Sequence, residues 1–163
     1  MRAPAFVLAL VWLAAPAVVA GGQEAIVVVR HAERADASAD SPLSAAGETR
    51  AARLAAVLED AGISRIYTTT LRRTLQTAAP LAAALMLTPV QLPQRDLDAL
   101  FDRLGASTRG DRVLIVGHSN TLPEILRRLG VTTPVTIGDD QYDNLFVVTP
   151  RPGLSPLFVR LRY

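Results

Sequence analysis

The chain contains only two histidines, and each of them follows a run of apolar, largely β-branched residues. His31 lies two residues after the segment AIVVV at 25–29, and His118 lies two residues after the segment VLIV at 113–116. Runs of this kind are typical of strands that are buried on both faces of a sheet. Because open α/β sheets bind their ligands at the carboxyl ends of the strands, we expect both histidines at one ligand-binding edge.

Arginines surround the first histidine: Arg30 precedes His31 directly, and Arg34 follows it three residues later. Nearby cations lower the pKa of an imidazole, which keeps it neutral near pH 7, as a nucleophile must be. Guanidinium groups also match phosphate oxygens with paired hydrogen bonds, and phosphoryl transfer needs fixed cations around its charged oxygens. Acyl transfer would need a Ser or Cys beside a base; Ser119 follows His118 but lacks the Gly-x-Ser-x-Gly turn. The pattern therefore favours phosphoryl transfer.

Three segments of the chain carry a family resemblance. They are VVVRHAER at 27–34, TTLRRTLQTA at 69–78 and LIVGHSNT at 114–121. In this order and spacing they resemble the histidine phosphatase superfamily, whose members include phosphoglycerate mutases and many small phosphatases. The resemblance covers essentially all of the chain after residue 20. It implies a phosphoglycerate mutase-like fold and a reaction through a transient phosphohistidine.

The resemblance also implies roles for four residues. His31 would be the phosphorylated nucleophile, with Arg30, Arg73 and His118 enclosing the phosphate. Arg73 is chosen because the phosphate-binding arginine of the second motif directly precedes a Thr. Arg34 is expected as a further phosphate ligand, with a solvated loop charge as the alternative.

The group that would protonate the leaving group is not assigned. The acid phosphatase branch of the family carries His-Asp at the second histidine, whereas this chain has Ser119 there. The mutase-like branch places a Glu after the third strand, where the nearest carboxylates here are Asp96 and Asp98. Glu33, in the first motif, is the other candidate. A weakly defined proton donor would matter least for a phosphoramidate, an acyl phosphate or an aryl phosphate.

Short strand patterns alternate with longer helical patterns along the chain, which predicts a single α/β domain. We expect a three-layer α/β/α sandwich with a mostly parallel sheet, in which the last two strands pair as a hairpin and Pro80 kinks or splits the second helix. The predicted strands are 25–29, 66–68, 90–92, 113–116, 145–148 and 157–161, and the predicted helices are 45–61, 71–86, 96–104 and 121–129.

The first twenty residues have the pattern of a secretory signal peptide: one early arginine, an apolar run and small residues at the end. Retention as a membrane anchor is the alternative, but the run is only about fifteen residues long, whereas a spanning helix needs about twenty. Cleavage would leave 21–163 as an exported, periplasmic or secreted domain without stable membrane insertion.

Composition narrows the possible sites and partners. The absence of cysteine excludes thiol nucleophiles and thiolate metal sites. All 17 basic residues are arginines spread along the chain, and the net charge is +2, so a clustered nucleic-acid-binding face is not expected. A metal site of His31 and His118 would need a carboxylate as its third ligand, and none is obvious. We therefore expect no metal and no cofactor.

Together these features predict a phosphatase that acts on small phosphorylated molecules through His31. One alternative is a phosphomutase, although members with that activity are longer and carry insertions that shield the intermediate from water. The other is a phosphate- or phosphoprotein-binding module that kept the cradle but lost turnover.

Overall fold

The protein is described by a computed structural model covering residues 22–163, so the predicted signal peptide lies outside the described residues. The described part contains six strands and four helices. The strands are β1 (Ala25–Arg30), β2 (Arg65–Thr69), β3 (Val90–Leu92), β4 (Arg112–Gly117), β5 (Asn144–Arg151) and β6 (Leu154–Arg162), and the helices are α1 (Ala45–Leu58), α2 (Arg72–Ala84), α3 (Leu97–Gly105) and α4 (Leu122–Arg128).

The strands form one sheet in the order β3-β2-β4-β1-β5-β6. The first four strands are parallel, β5 runs antiparallel to β1, and β6 pairs with β5 as the predicted terminal hairpin. The residues that follow β1, β2 and β4 therefore meet at one edge. Because β5 is antiparallel, the loop that enters it reaches the same edge.

Helices cover both faces of this sheet. Val27 and Val29 of β1 pack with residues of α1 and α2 in one core, whereas Ile26 and Val28 pack with residues of α3 and α4 in the other. The continuous apolar run of β1 is explained by these two cores, since neither face of the strand meets water. The predicted single-domain, three-layer α/β/α fold is confirmed. In the stretch from residue 22 onward, no helix combines the length and the apolar character needed to cross a bilayer.

Two predicted helices differ from the observed ones. The predicted split at Pro80 does not occur: α2 runs through this residue, from Arg72 to Ala84. Proline removes only one backbone hydrogen bond, and the buried Leu81 on the same helix packs in the core with α1. Helix α1 begins as predicted behind the N-cap Ser44 but ends at Leu58, before the expected residue 61.

Candidate active site

The two histidines lie side by side because their strands are neighbours. β1 and β4 pair in parallel with Arg30 opposite Gly117. Because the residue that follows each strand is a histidine, His31 and His118 lie opposite each other. The backbone N–H of His31 donates to Gly117 O at 2.9 Å and extends this pairing by one residue. The rings of His31 and His118 are 5.2 Å apart between centroids and tilted by 60°. The expected meeting of both histidines at one edge is confirmed.

The imidazole of His31 is held with one nitrogen free. Its Nδ1 lies 2.8 Å from the carbonyl oxygen of Ala32. A carbonyl can only accept, so Nδ1 carries the hydrogen and Nε2 carries the lone pair. The backbone N–H of Ala32 donates to Thr77 Oγ1 of α2 at 2.9 Å, which fixes the peptide that orients the ring. The arrangement is that of a nucleophile with its lone pair on Nε2.

Burial and positive charge keep His31 neutral. The residue is 4 % exposed. The pKa of His31 is lowered to about 4: loss of solvent is the main cause, the bond to Ala32 opposes it, and the cations Arg73, Arg30 and Arg34 add to the lowering. The pKa of His31 is lowered, as predicted, but burial contributes more to this shift than the arginines do.

Arg30, the last residue of β1, is held by the loop that enters β5. Its Nη1 donates to the carbonyl oxygens of Gly138 and Asp139, both at 2.9 Å, and to that of Gln141 at 3.3 Å. The ring of Tyr142 covers the guanidinium at 4.0 Å, a cation–π distance. We call this segment, 138–142, the Arg30 clamp.

The Arg30 clamp is the part of the site that the sequence did not reveal, since its acidic residues resemble an ordinary surface loop. Three of its four contacts come from backbone carbonyls, which any residue type provides. The only available signal was the antiparallel terminal hairpin, which brings the loop before β5 to the ligand edge.

Arg73 supplies the second buried guanidinium. It lies in the first turn of α2, is 7 % exposed, and donates from Nη1 to the carbonyl oxygen of Ala39 at 2.8 Å. Within the described residues, the Nε atoms of Arg30 and Arg73 are both buried without a hydrogen-bond partner. A buried donor without an acceptor is costly, and an oxyanion is the kind of ligand that guanidinium donors match.

Arg34 lies further out. Its side chain is exposed, yet its charge lowers the pKa of both His31 and Arg73, so it faces the same region. The backbone of Arg34 forms an isolated antiparallel bridge with Leu43. Its placement at the rim leaves both interpretations of its side chain, phosphate ligand and solvated charge, open to experiment.

His118 is the fourth residue of the predicted site that is buried here. It is 3 % exposed, and its Nε2 lies 3.2 Å from Thr69 Oγ1 at the end of β2. Its pKa is lowered to about 3, mainly by loss of solvent and in addition by His31, Arg73 and Arg30. Both histidines are therefore neutral at pH 7, in a site whose positive charge comes from arginine.

Of the three carboxylates considered as proton donors, two are engaged elsewhere. Glu33 accepts three hydrogen bonds from the guanidinium of Arg50 at 2.6–2.9 Å. Burial raises the pKa of Glu33, but the bonds from Arg50 outweigh it and leave that pKa below its ordinary value. Asp98 pairs with Arg128 at 2.8 Å. Arg50 holds Glu33 as an anion, which argues against Glu33 as a proton donor, and Asp98 is engaged with Arg128.

Asp96, the third candidate, remains near the site. Its side chain accepts from the backbone N–H of Ala99 at 2.9 Å and caps the N-terminus of α3. It also lines a cavity of about 30 Å³ together with Thr69 and Gly117, the residues next to the histidine pair. Asp96 thus lines a cavity beside the strand ends that carry the histidine pair.

Glu33 has a structural role instead. With Arg50 of α1 it anchors the loop that follows His31, and Gly47 of α1 packs directly on that loop. A Cβ at position 47 would lie 2.3 Å from the carbonyl oxygen of Glu33, so only glycine fits there. The loop carrying the nucleophile is therefore fixed by α1 as well as by α2.

The chemistry of the donor set fits an anion. From residue 22 to the end of the chain, no group of three or more potential metal-ligating side chains is present. The site instead presents guanidinium donors and two neutral imidazoles around one edge. That arrangement is suited to bind a tetrahedral oxyanion and to attack it with His31 Nε2.

Comparisons with known proteins agree with this geometry. A family model of the histidine phosphatase superfamily (branch 1) matches residues 26–95, a range that includes His31 and the three arginines of the site. No curated protein matches the chain.

Three solved structures illustrate the likeness in fold. One is a protein assigned as the phosphohistidine phosphatase SixA of Agrobacterium tumefaciens, with 20 % identity, coverage of 78 % of this chain and 92 % of that one, and a TM-score of 0.58. The protein histidine phosphatase SixA complexed with tungstate has 21 % identity, coverage of 85 % and 96 %, and a TM-score of 0.61. A mycobacterial glucosyl-3-phosphoglycerate phosphatase complexed with VO3 has 18 % identity, coverage of 86 % and 98 %, and a TM-score of 0.63. These similarities support the histidine phosphatase superfamily: the family model matches residues 26–95, and the solved structures share the fold.

Proposed function

We propose that this chain is a phosphatase that hydrolyses phosphomonoesters or related phosphoryl compounds through a phosphohistidine on His31. The observation that carries the proposal is the state of His31: buried, neutral, and hydrogen-bonded through Nδ1 so that Nε2 is free. Two buried guanidiniums with unsatisfied Nε donors accompany it. The similar structures named for phosphatases, two of them with a tungstate or vanadate ligand, support the same activity.

In the proposed mechanism His31 Nε2 attacks phosphorus, and the bond from phosphorus to the leaving-group oxygen or nitrogen breaks. Arg30 and Arg73 bind the phosphoryl oxygens, and His118 stabilises the charge that develops on them. Water then attacks the phosphohistidine, releases inorganic phosphate and restores the lone pair of His31. No step uses a metal ion or a cofactor.

The substrate class follows from the leaving group. Glu33 and Asp98 are paired with arginines, and Asp96 is exposed and caps a helix. We therefore propose that the preferred substrates leave readily without strong acid assistance, as phosphoramidates, acyl phosphates and aryl phosphates do. Simple alkyl phosphates should react more slowly.

A steady-state panel tests the activity. The chain from residue 21 onward is assayed with para-nitrophenyl phosphate, acetyl phosphate, phosphoramidate and glycerol phosphate, with and without EDTA. We expect turnover of the first three, unaffected by EDTA and absent in His31→Ala. Activity that EDTA abolishes, or that survives in His31→Ala, would contradict the mechanism.

A second candidate is a phosphate-binding module without turnover. The engaged state of Glu33 and Asp98 favours it, because a site without an acid could retain binding and lose hydrolysis. The same panel separates the two functions. A binding module would bind phosphate or orthovanadate in calorimetry and show no release of inorganic phosphate from any substrate.

We also propose that the domain acts outside the cytoplasm. The support is the basic, apolar and small-residue pattern of the first twenty residues. Expression of the full chain in a Gram-negative host, followed by fractionation and N-terminal mass spectrometry, tests this proposal. A periplasmic protein beginning at residue 21 is expected, and a cytoplasmic protein with an intact N-terminus would overturn it.

A further inference from the structure

A chain of hydroxyl groups leads from His118 to the backbone at the start of α2. His118 Nε2 lies 3.2 Å from Thr69 Oγ1, which lies 2.9 Å from Thr74 Oγ1. Thr74 Oγ1 in turn lies 2.8 Å from the carbonyl oxygen of Leu71 and 3.0 Å from that of Thr69. Both threonines are buried, with Thr74 fully inaccessible, so water does not compete for these bonds.

The carbonyl oxygens at the far end of this series of hydroxyl groups determine which group donates and which accepts in each hydrogen bond. A backbone carbonyl can only accept, so the hydroxyl hydrogen of Thr74 points to a carbonyl oxygen. Thr74 Oγ1 must then accept the hydrogen of Thr69. Thr69 Oγ1 has no further hydrogen to give, and it also accepts from the backbone N–H of Leu71 at 3.4 Å. Its remaining lone pair accepts from His118, which therefore carries its hydrogen on Nε2.

The reverse direction is unfavourable. If Thr69 donated to His118, Thr74 would have to donate to Thr69, and its oxygen would face two carbonyl oxygens at 2.8–3.0 Å without a hydrogen between them. Contacts of that kind are repulsive in a buried environment, where an unmade hydrogen bond costs about 1–3 kcal/mol.

We propose that Thr69 and Thr74 are positioning residues that hold neutral His118 as the Nε2–H tautomer, the opposite of the Nδ1–H tautomer of His31. His31 then offers a lone pair to phosphorus, and His118 carries its single N–H on Nε2, where the 3.2 Å hydrogen bond to Thr69 Oγ1 is shared with a bound phosphoryl oxygen. The inference rests on the proposed function of the site. Under this proposal His118 serves as a hydrogen-bond donor in its neutral form and does not need to become a cation.

The neighbouring Thr68 provides a matched control. It lies on the same strand, is 3 % exposed, and its hydroxyl has no hydrogen-bond partner within the described residues. Thr68→Val therefore removes a buried hydroxyl from the same strand and leaves the hydrogen bonds that connect Thr74, Thr69 and His118 intact. Thr69→Val and Thr74→Val remove links of the chain, whereas Thr69→Ser keeps the hydroxyl.

Tautomers are read directly by long-range ¹H–¹⁵N NMR of the ¹⁵N-histidine-labelled domain at pH 7, which has only two histidines to assign. We expect an Nδ1–H spectrum for His31 and an Nε2–H spectrum for His118. Thr69→Val should convert His118 to a mixture of tautomers and Thr68→Val should not. An Nδ1–H spectrum for His118 in the wild type, or no response to Thr69→Val, would overturn the inference.

Kinetics give the second readout. Thr69→Val should lower kcat about tenfold and weaken inhibition by orthovanadate by a similar factor, with little change in the KM of an aryl phosphate. Thr69→Ser should restore most of kcat, and Thr68→Val should match the wild type. Equal kcat values in Thr69→Val and Thr68→Val would overturn the inference. An inactive wild type with the expected NMR spectra would instead contradict the proposed function.

Discussion

The two sides of this site differ in the groups that form them: mainly side chains on the α2 side and mainly backbone carbonyls on the β5 side. On the α2 side, side chains of fixed type do the work: Arg73 offers its guanidinium, and Thr77 accepts from the peptide that orients His31. On the β5 side, three backbone carbonyls and the ring of Tyr142 hold Arg30 in place. The comparison teaches that one half of a phosphate cradle leaves a sequence motif, whereas the other leaves almost none.

The largest expected effect lies on the α2 side. Arg73→Met removes the buried guanidinium that we propose to bind the phosphoryl oxygens, and removal of such a donor costs about 10²–10³ in rate. We expect a loss of that size in kcat/KM, measured with para-nitrophenyl phosphate. Arg72→Met is the control, because Arg72 meets Asp40 through its backbone N–H and keeps that bond after substitution. Equal losses in both variants would contradict the assignment of Arg73.

The pH profile measures how both sides act on His31. A histidine attacks only when neutral, so activity is lost as pH falls through its folded-state pKa of about 4. After correction for ionisation of the substrate, kcat/KM should be level from pH 8 through pH 6.5 and fall about tenfold per unit below pH 4. An inflection near pH 6.5, the ordinary value for histidine, would show that the imidazole is not desolvated as described.

On the β5 side a smaller effect is expected, because the carbonyls remain when a side chain is changed. Tyr142→Leu removes the cation–π contact with Arg30, a contribution of about 1 kcal/mol, or about fivefold in kcat/KM. Tyr142→Phe keeps the ring and should behave as the wild type. A loss in Tyr142→Phe as large as that in Tyr142→Leu would assign the effect to the hydroxyl group and break the account of the Arg30 clamp.

The smallest effect is expected for Arg34 at the rim. If its charge acts only at a distance, Arg34→Gln should lower kcat/KM by about threefold and raise the pH at which activity falls, because one cation near His31 is lost. A loss of about a hundredfold, as for Arg73, would instead make Arg34 a direct phosphate ligand.

The fold was predictable to the extent that each element buries apolar residues with a clear period. β1 and β4 are buried on both faces and appear as continuous apolar runs, and their pairing brings His31 and His118 together. The split predicted at Pro80 was wrong, because local propensity indicates a break and the packing of α2 overrides it.

The candidate site was predictable only where residue type carries the function. Arg30, Arg73 and both histidines fall in motifs, whereas the carbonyls of the Arg30 clamp have no residue signature. Glu33 illustrates the opposite problem. Its type and position suggested an acid, but its partner Arg50 lies seventeen positions away, a pairing that only the folded chain shows.

The most direct test of the account is to trap the intermediate. The domain is mixed with para-nitrophenyl phosphate, quenched in alkali within milliseconds to preserve phosphohistidine, and digested for mass spectrometry. We expect one phosphoryl group on the peptide containing His31, lost on acid treatment and absent in His31→Ala, with slower formation in Arg73→Met. A phosphoryl group on any other residue, or equal labelling of His31→Ala and the wild type, would contradict the central claim that His31 is the nucleophile.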